Sequence, residues 1–253
     1  MDLSAVILTK NEEENISQGI ESVNFCDEII VIDDYSKDKT TEIARNHGAN
    51  VFRRRLNNDF ASQRNFGLQK AKGEWVLFLD ADERVSENLK KEILRLIRTP
   101  KSGYSGFFLK RKDVIFGKEL NHGEMGSIKL LRLAKKGTGF WKRSVHESWN
   151  VKGKTLTLAN PIHHYPHQNL KEFIDSVNYF SSLHALSNRR EGKNSNLVKI
   201  VLWPLGHIVK NWLFRVGFLD TTSGFIIAMI MSFHSFLAWS KLWFLQKKGF
   251  TKI

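Results

Sequence analysis

The sequence predicts an α/β protein with a mostly parallel central sheet, followed by a helical, basic C-terminal region. Three observations carry this. Short apolar runs alternate with helical stretches over the first 100 residues. One of those runs, Ile29-Ile30-Val31-Ile32, is continuous and β-branched, the composition of a strand buried on both faces. From Leu170 onward the pattern turns helical and becomes basic and aromatic. Strands alternating with helices at the spacing of the first part imply βαβ units and a parallel sheet.

The elements follow in order. Ser4–Thr9 reads as a buried strand. Asn11 is placed to cap the next helix, with Glu14 three residues on in a capping-box position, and that helix runs to about Val23. Glu28–Asp33 is the second strand. A helix over Lys39–His47 stops at Gly48, a C′ glycine. Asn50–Arg53 is a short strand, Phe60–Lys72 a helix ended by Gly73, Glu74–Leu79 a fourth strand, and Glu87–Arg98 a helix that stops before Pro100. Residues 104–165 show short β-like pieces near Gly106–Lys110, Ile128–Leu133 and Thr155–Leu158. We divide the chain into a domain over 1–168, with a first half to residue 100 and a second half over 101–168, and a helical region over 169–253.

In an open parallel sheet the ligand lies beyond the carboxyl ends of the strands. Those places hold Thr9-Lys10-Asn11, Asp33-Asp34, the loop 53–59, and Asp80-Ala81-Asp82. The last is the strongest local signal. An apolar strand, Trp75–Leu79, delivers two carboxylates one residue apart, hard oxygen donors suited to Mg²⁺ or Mn²⁺ bridging a diphosphate. The bland alternative is two solvated acids opening a turn. Asp33 and Asp34 can accept hydrogen bonds from a base or a ribose, or can cap the turn with Ser36. His163, His164 and His167 cluster around Tyr165 and Pro166, either for acceptor or pyrophosphate contacts or for packing; their spacing is not that of a zinc site.

Several motifs together resemble the inverting glycosyltransferases of family two: Val6-Ile7-Leu8-Thr9-Lys10-Asn11-Glu12, Ile30-Val31-Ile32-Asp33-Asp34-Tyr35-Ser36, Ala61-Ser62-Gln63-Arg64-Asn65-Phe66-Gly67 and Asp80-Ala81-Asp82. More loosely, Val145-His146-Glu147, His163-His164-Tyr165 and Gly217-Phe218-Leu219-Asp220 resemble the bacterial branch with lipopolysaccharide core β-glucosyltransferases. The resemblance implies a nucleotide-diphospho-sugar transferase (GT-A-like) fold. It places Thr9, Asn11, Glu12, Asp33 and Asp34 against the nucleotide and Arg64 near the pyrophosphate. It makes Asp80 and Asp82 the metal-binding pair, with Asp82 the main ligand, and makes residues 1–100 the donor half and 101–168 the acceptor half. It also implies UDP-glucose as donor and a lipopolysaccharide core or lipid-linked glycan as acceptor. Many relatives carry their base in a Glu-Asp pair after the sheet, which this chain lacks. Glu147 stands in as base with His146 sharing the proton, unless the two are a structural pair. The Gln-x-x-Arg-Trp motif of processive synthases is absent, which points to single-sugar transfer.

Charge divides the chain. Residues 1–100 carry 15 Lys/Arg and 18 Asp/Glu, net −3, while 101–253 carry 24 and 8, net +16. The excess implies an anionic partner for the second part. Trp203, Trp212, Trp239 and Trp243 lie among Lys199, Lys210, Arg215, Lys241 and Lys247, a membrane-interface composition. Phe225–Trp239, nearly all apolar, reads as an interfacial or dimer-forming helix, with a plain core helix as the alternative, and is shorter than the roughly 20 apolar residues of a span. We expect a cytoplasmic enzyme peripheral on the inner face of the membrane, with a homodimer open, no nucleic acid, no classical signal peptide, and no intramolecular disulfide, since Cys26 is the only cysteine. Two rivals stand against this. A nucleotidyltransferase wants a Gly-rich loop after the first strand, and Leu8–Glu12 has no glycine. A non-catalytic anion-binding module leaves the acidic strand ends unexplained.

Overall fold

In a computed structural model, which describes residues 2–98, 103–145, 147–166 and 169–247, the apolar runs form the strands their composition demands. The order is β1 (Leu3–Thr9), α1 (Ile16–Glu21), β2 (Glu28–Asp33), α2 (Thr40–Asn46), β3 (Asn50–Arg53), α3 (Phe60–Lys70), β4 (Trp75–Asp80), β5 (Glu83–Val85) and α4 (Glu87–Ile97). Then come β6 (Tyr104–Ile115), β7 (Lys118–Glu119), β8 (Lys129–Lys135), β9 (Gly139–Lys142), β10 (Ser148–Val151), β11 (Lys154–Thr157) and β12 (Ile162–His164). The chain forms two compact units, residues 1–112 with 128–165, and residues 113–127 with 166–253.

In the first unit the strand order is β3-β2-β1-β4-β8-β6-β12-β5, with β11 beside β6. β3, β2, β1 and β4 are parallel, and β8 and β6 continue the sheet antiparallel. Alternate residues of each central strand serve opposite faces. Ala5, Ile7, Val31, Leu77 and Leu79 pack under α1 and α4, while Val6, Ile30, Ile32, Val76 and Phe78 face α3 and the β9–β10 hairpin. Phe78 meets Trp141 and Trp149 edge-on at 5.2 and 5.1 Å. α3 lies so close that a Cβ on Gly67 would come within 2.5 Å of Val6 Cγ1. Leu8 pairs with Asp80 and Thr9 with Asp33, so three strands end level and offer their polar residues together.

Two expected details differ. Asn11 does not cap a helix: its φ is +53°, its N–H donates to Ser36 Oγ, and its carboxamide accepts from the Lys37 N–H. Tying the loop after β1 to the loop after β2 spends the groups a cap would need, so α1 starts only at Ile16. β6 is 12 residues long, well beyond the short piece near 106–110 that pairs with β8, because β11 pairs with it from Tyr104 and β7 pairs with Val114 and Ile115.

The second unit is helical: α5 (Leu170–Arg190), α6 (Leu197–Val209) and α7 (Thr221–Gln246). Residues 113–127, placed by sequence with the first 168, belong here, because Ile115 and Leu120 bury themselves with Phe173, Val177 and Ile227. The Phe225–Trp239 stretch is the interior of the 26-residue α7. By length and composition alone the stretch 217–246 suffices to cross a membrane, with mean hydropathy 1.5. The Gly217-Phe218-Leu219-Asp220 motif is structural. Asp220 accepts from the N–H groups of Asn121 and His122 and from His122 Nδ1, and a Cβ on Gly217 would sit 2.5 Å from the Asn211 carbonyl.

Candidate active site

The carboxyl ends of β1 and β2 are joined by polar straps. Asp33, fully buried, accepts from the N–H and hydroxyl of Ser36 and lies 3.6 Å from Arg53 Nε. Asp34 binds Lys10 Nζ at 2.7 Å and the Leu56 N–H at 2.9 Å. These carboxylates brace the loops. Between them they hold Tyr35, half-exposed at φ +53°, with the Arg55 guanidinium 4.7 Å from its ring. Glu12 donates its N–H to Thr40 Oγ1 and accepts from Asn15 Nδ2. Burial, then the Asp82 charge, pushes the Glu12 carboxyl up to about 7.

The centre is Asp80, the last residue of β4. Its Oδ1 accepts from Arg64 Nη2 at 2.8 Å and its Oδ2 from Arg132 Nη2 at 2.7 Å. Burial works against ionising it, but the Arg132 and Arg64 guanidiniums prevail and hold the carboxyl far below the usual range. Arg64 comes from α3, 1 % exposed, its guanidinium 4.8 Å from the Trp141 ring. α3 in turn is stapled to the β9–β10 hairpin, Asn65 exchanging two hydrogen bonds with the Trp141 backbone. That brings Glu147 within reach, and its Oε1 accepts from Arg64 Nε at 2.8 Å. Arg132, 4 % exposed, comes from β8 and lies also 3.5 Å from Glu83 Oε1. Burial disfavours its charge, yet Asp80 and Glu83 raise its pKa. Glu83, fully buried, receives the Asp80 N–H, and burial pushes its carboxyl up despite Arg132.

Asp82 is arranged differently. Its Oδ2 lies 3.2 Å from His164 Nε2, and its carbonyl accepts the Tyr165 N–H. Burial favours the neutral form, but the charge and hydrogen bond of His164 outweigh it and lower the carboxyl's pKa. The antiparallel pairing of β12 with β5 sets this contact: His163 lies opposite Arg84 and His164 opposite Glu83. The Arg84 guanidinium lies 5.8 Å from the Tyr165 ring. Asp82 Oδ1 is buried with no hydrogen-bond partner, as are Thr9 Oγ1, Arg64 Nη1 and two nitrogens of Arg132. Buried polar atoms are almost always paired, so these mark a centre built to receive a polar ligand. Asp82 Oδ1 fits a divalent cation as a hard oxygen donor. Asp80, expected from the sequence as the second metal ligand, has both oxygens engaged by guanidiniums, whereas Asp82 keeps one oxygen without a partner. Among the described residues no group of three His, Cys, Asp or Glu is placed to hold a metal ion.

The structure thus gathers Arg64, Asp80, Asp82, Glu147, His164 and Tyr165. Thr9, Asn11, Glu12, Asp33 and Asp34 line the adjoining strand ends. His146 and His167 lie outside the described residues. Sequence reasoning missed Arg132 and Glu83. An arginine inside the apolar stretch Leu130–Ala134, where charge is costly unless paired, was the available signal for the first.

The model of glycosyl transferase family 2 matches residues 4–152. The chain is 27% identical over 252 residues to an uncharacterised glycosyltransferase of Rickettsia typhi, covering 95% of this chain and 86% of that one. It is 27% identical over 254 residues to the lipopolysaccharide core biosynthesis glycosyltransferase LpsC of Rhizobium meliloti, covering 96% and 92%. Among solved structures, TarS of S. aureus (residues 1–349) aligns with a TM-score of 0.49 at 15% identity, over 95% of this chain and 92% of that one.

Proposed function

Because the chain belongs to glycosyl transferase family 2, we propose that it transfers a single sugar, with inversion, from a nucleoside-diphosphate donor to a lipid-borne glycan of the lipopolysaccharide-core type. UDP-glucose is the proposed donor, and the acceptor class rests on the name of the Rhizobium relative. The observation that carries the reading is the contrast between two neighbouring carboxylates. Asp80 is clamped by Arg64 and Arg132, while Asp82 keeps one buried oxygen without a partner.

The residues divide the work. The strapped loops after β1 and β2 form the nucleotide wall. Asp33 and Asp34 stiffen it, Thr9, Asn11 and Glu12 edge it, and Tyr35 offers a ring on which a base can stack. Arg64 and Arg132 hold Asp80 and turn their remaining N–H groups to the diphosphate, donors pre-positioned where negative charge grows. Asp82 would hold a Mg²⁺ or Mn²⁺ ion, which would supply Lewis-acid neutralisation of the departing diphosphate. The acceptor hydroxyl oxygen attacks the anomeric carbon, the bond from that carbon to the phosphate oxygen breaks, and the hydroxyl proton passes to Glu147. Arg64 orients Glu147 through Oε1. His163, His164 and Tyr165 form the acceptor-side edge, with His164 also positioning Asp82. Nucleotide-sugar donors and an inner-leaflet acceptor together place this chemistry at the cytoplasmic face of the membrane.

Thermal shift with UDP, GDP, CDP, ADP and UDP-glucose, with and without Mn²⁺, tests the reading on wild type and Asp82→Ala. Metal-dependent stabilisation by uridine nucleotides alone, absent in Asp82→Ala, is the expected result. A protein that no nucleotide stabilises under any metal condition would overturn it.

A further inference from the structure

We propose that α6 and the turn joining it to α7 form a rigid apolar wedge that seats in the headgroup region of an anionic lipid leaflet, with α7 lying on the protein and not crossing the bilayer. This deepens the reading above, on which its biological sense rests, by assigning the surface that meets the membrane.

The exposure pattern is the first observation. Twelve of the 23 residues from 197 to 219 are large hydrophobic side chains left exposed. Leu197 is 73% exposed, Leu202 54%, Leu213 55% and Phe214 80%. In α6 only Pro204 is buried. A soluble monomer rarely exposes a continuous apolar surface of this kind.

Charge chooses the occupant. Residues 192–253 carry eight Lys/Arg and one acid, Asp220, net +7, and Asp220 is buried on the backbone of Asn121 and His122. The acid that touches this stretch, Glu124, is engaged by His207 and Asn211. Two copies meeting through it would bring like charges together, whereas anionic headgroups complement it. The tryptophans fit the same boundary: Trp203, 52% exposed, meets Trp239 edge-on, and Lys199 and Lys247 lie 5.2 and 3.9 Å from the Trp239 and Trp243 rings.

The turn is built, not slack. A π-helical turn over Lys210–Phe214 and a 3-10 turn over Gly217–Asp220 join α6 to α7. Val216 at φ +48° and Thr221 at φ +59° flank the second turn in the left-handed region, where a β-branched residue is strained. Such strain persists only where surroundings over-determine it. Here Lys118 Nζ donates to the Asp220 carbonyl and Thr221 Oγ1, and the Gly123 N–H donates to the Arg215 carbonyl. The outcome is that Leu213, Phe214, Phe218 and Leu219 are held outward on a stiff frame.

Packing argues against a span. α7 is tied to α6 by Ser232 Oγ donating to the Pro204 carbonyl. It is tied to α5 by the Lys241 ammonium, which donates to the Asn178 carbonyl and to the hydroxyls of Ser181 and Ser182. Crossing the bilayer alone would strip these bonds from a charged group, at a high cost in hydrocarbon.

Flotation of the full chain with vesicles of phosphatidylcholine, with and without phosphatidylglycerol, tests the proposal beside UDP binding by thermal shift. Wild type is expected to float with the phosphatidylglycerol vesicles and to be released by alkaline carbonate. Leu213→Asp/Phe214→Asp should bind at least about tenfold less, with an unchanged melting temperature and unchanged UDP binding. Lys210→Glu should bind less and regain nothing in phosphatidylcholine. Four results would overturn it: no flotation by wild type, equal flotation with both vesicle types, resistance to carbonate, or a lipid-free dimer that Phe214→Asp dissolves. A wild type that floats as expected but binds no nucleotide leaves this surface standing and removes the transferase reading. One that binds UDP but does not float does the reverse.

Discussion

The two units use the same residue types for opposite ends. The first buries its apolar side chains on both faces of a sheet and turns its charges inward at the strand ends. Arg64, Arg132 and Glu83 are buried ionisable residues, placed where such residues seldom go, and the two arginines turn onto Asp80. The second buries few large side chains and leaves leucine, phenylalanine and tryptophan outside, with lysines and arginines among them. Each arrangement is costly taken alone. An inward charge is tolerated when it is paired and when it preorganises a site. An outward apolar surface is tolerated when something apolar meets it. On the readings proposed above, the difference separates chemistry from attachment, and it can be broken at named residues.

The largest expected effect is on turnover. Glu147→Gln keeps the shape and removes the base, so kcat should fall about 10²- to 10⁴-fold while UDP binding measured by calorimetry stays near wild type. Equal turnover would remove Glu147 from the role of base. Next, phenylalanine separates the units directly. Phe78→Ala, at a fully buried site against two tryptophans, should destabilise by about 3–5 kcal/mol in urea unfolding. Phe214→Ala, at 80% exposure, should stay within about 0.5 kcal/mol, yet weaken vesicle binding. Similar losses at both sites would show that the second unit buries more than its surface indicates.

Arg132→Met sharpens the account of the inward charges. It leaves Asp80 with one guanidinium and Glu83 with none, and should cost about 3 kcal/mol, most of it recovered on acidification as those carboxylates take up protons.

The smallest effect is a pH dependence. Burial, then the Asp82 charge, raises the Glu12 carboxyl to about 7, above its value in the unfolded chain. The folded state therefore holds a proton that the unfolded state gives up. That contribution is whole below the unfolded value near 4.5 and is lost as pH rises through about 7. Melting temperature should drift down by a few degrees over that interval, and Glu12→Gln should flatten the drift. An identical slope in the variant would assign the titration to another group.

Much of the first unit was legible because its signals are local. The runs in β1, β2 and β4 declare buried strands by composition, and a strand that ends in Asp80-Ala81-Asp82 declares a polar ligand beyond it. The capping role of Asn11 was misread because its partners, Ser36 and Lys37, lie on another loop. The clustering of residues 113–127 with the helical unit is not local either, since Ile115 and Leu120 find their neighbours some fifty to a hundred residues later.

By itself the sequence determined the strands and helices of the first part, the acids at the strand ends, and the basic, aromatic character of the last third. Each of these follows from neighbours in the chain: the period of apolar side chains, the residue after a run, the local sum of charge. Only the tertiary structure decided which carboxylate is clamped and which stays open. Arg64 and Arg132 reach Asp80 from α3 and β8, 16 and 52 residues away, and His164 reaches Asp82 through the pairing of β12 with β5. Two aspartates one residue apart look alike in the chain. Strand register and helix packing give one a pair of buried guanidiniums and leave the other with a bare oxygen.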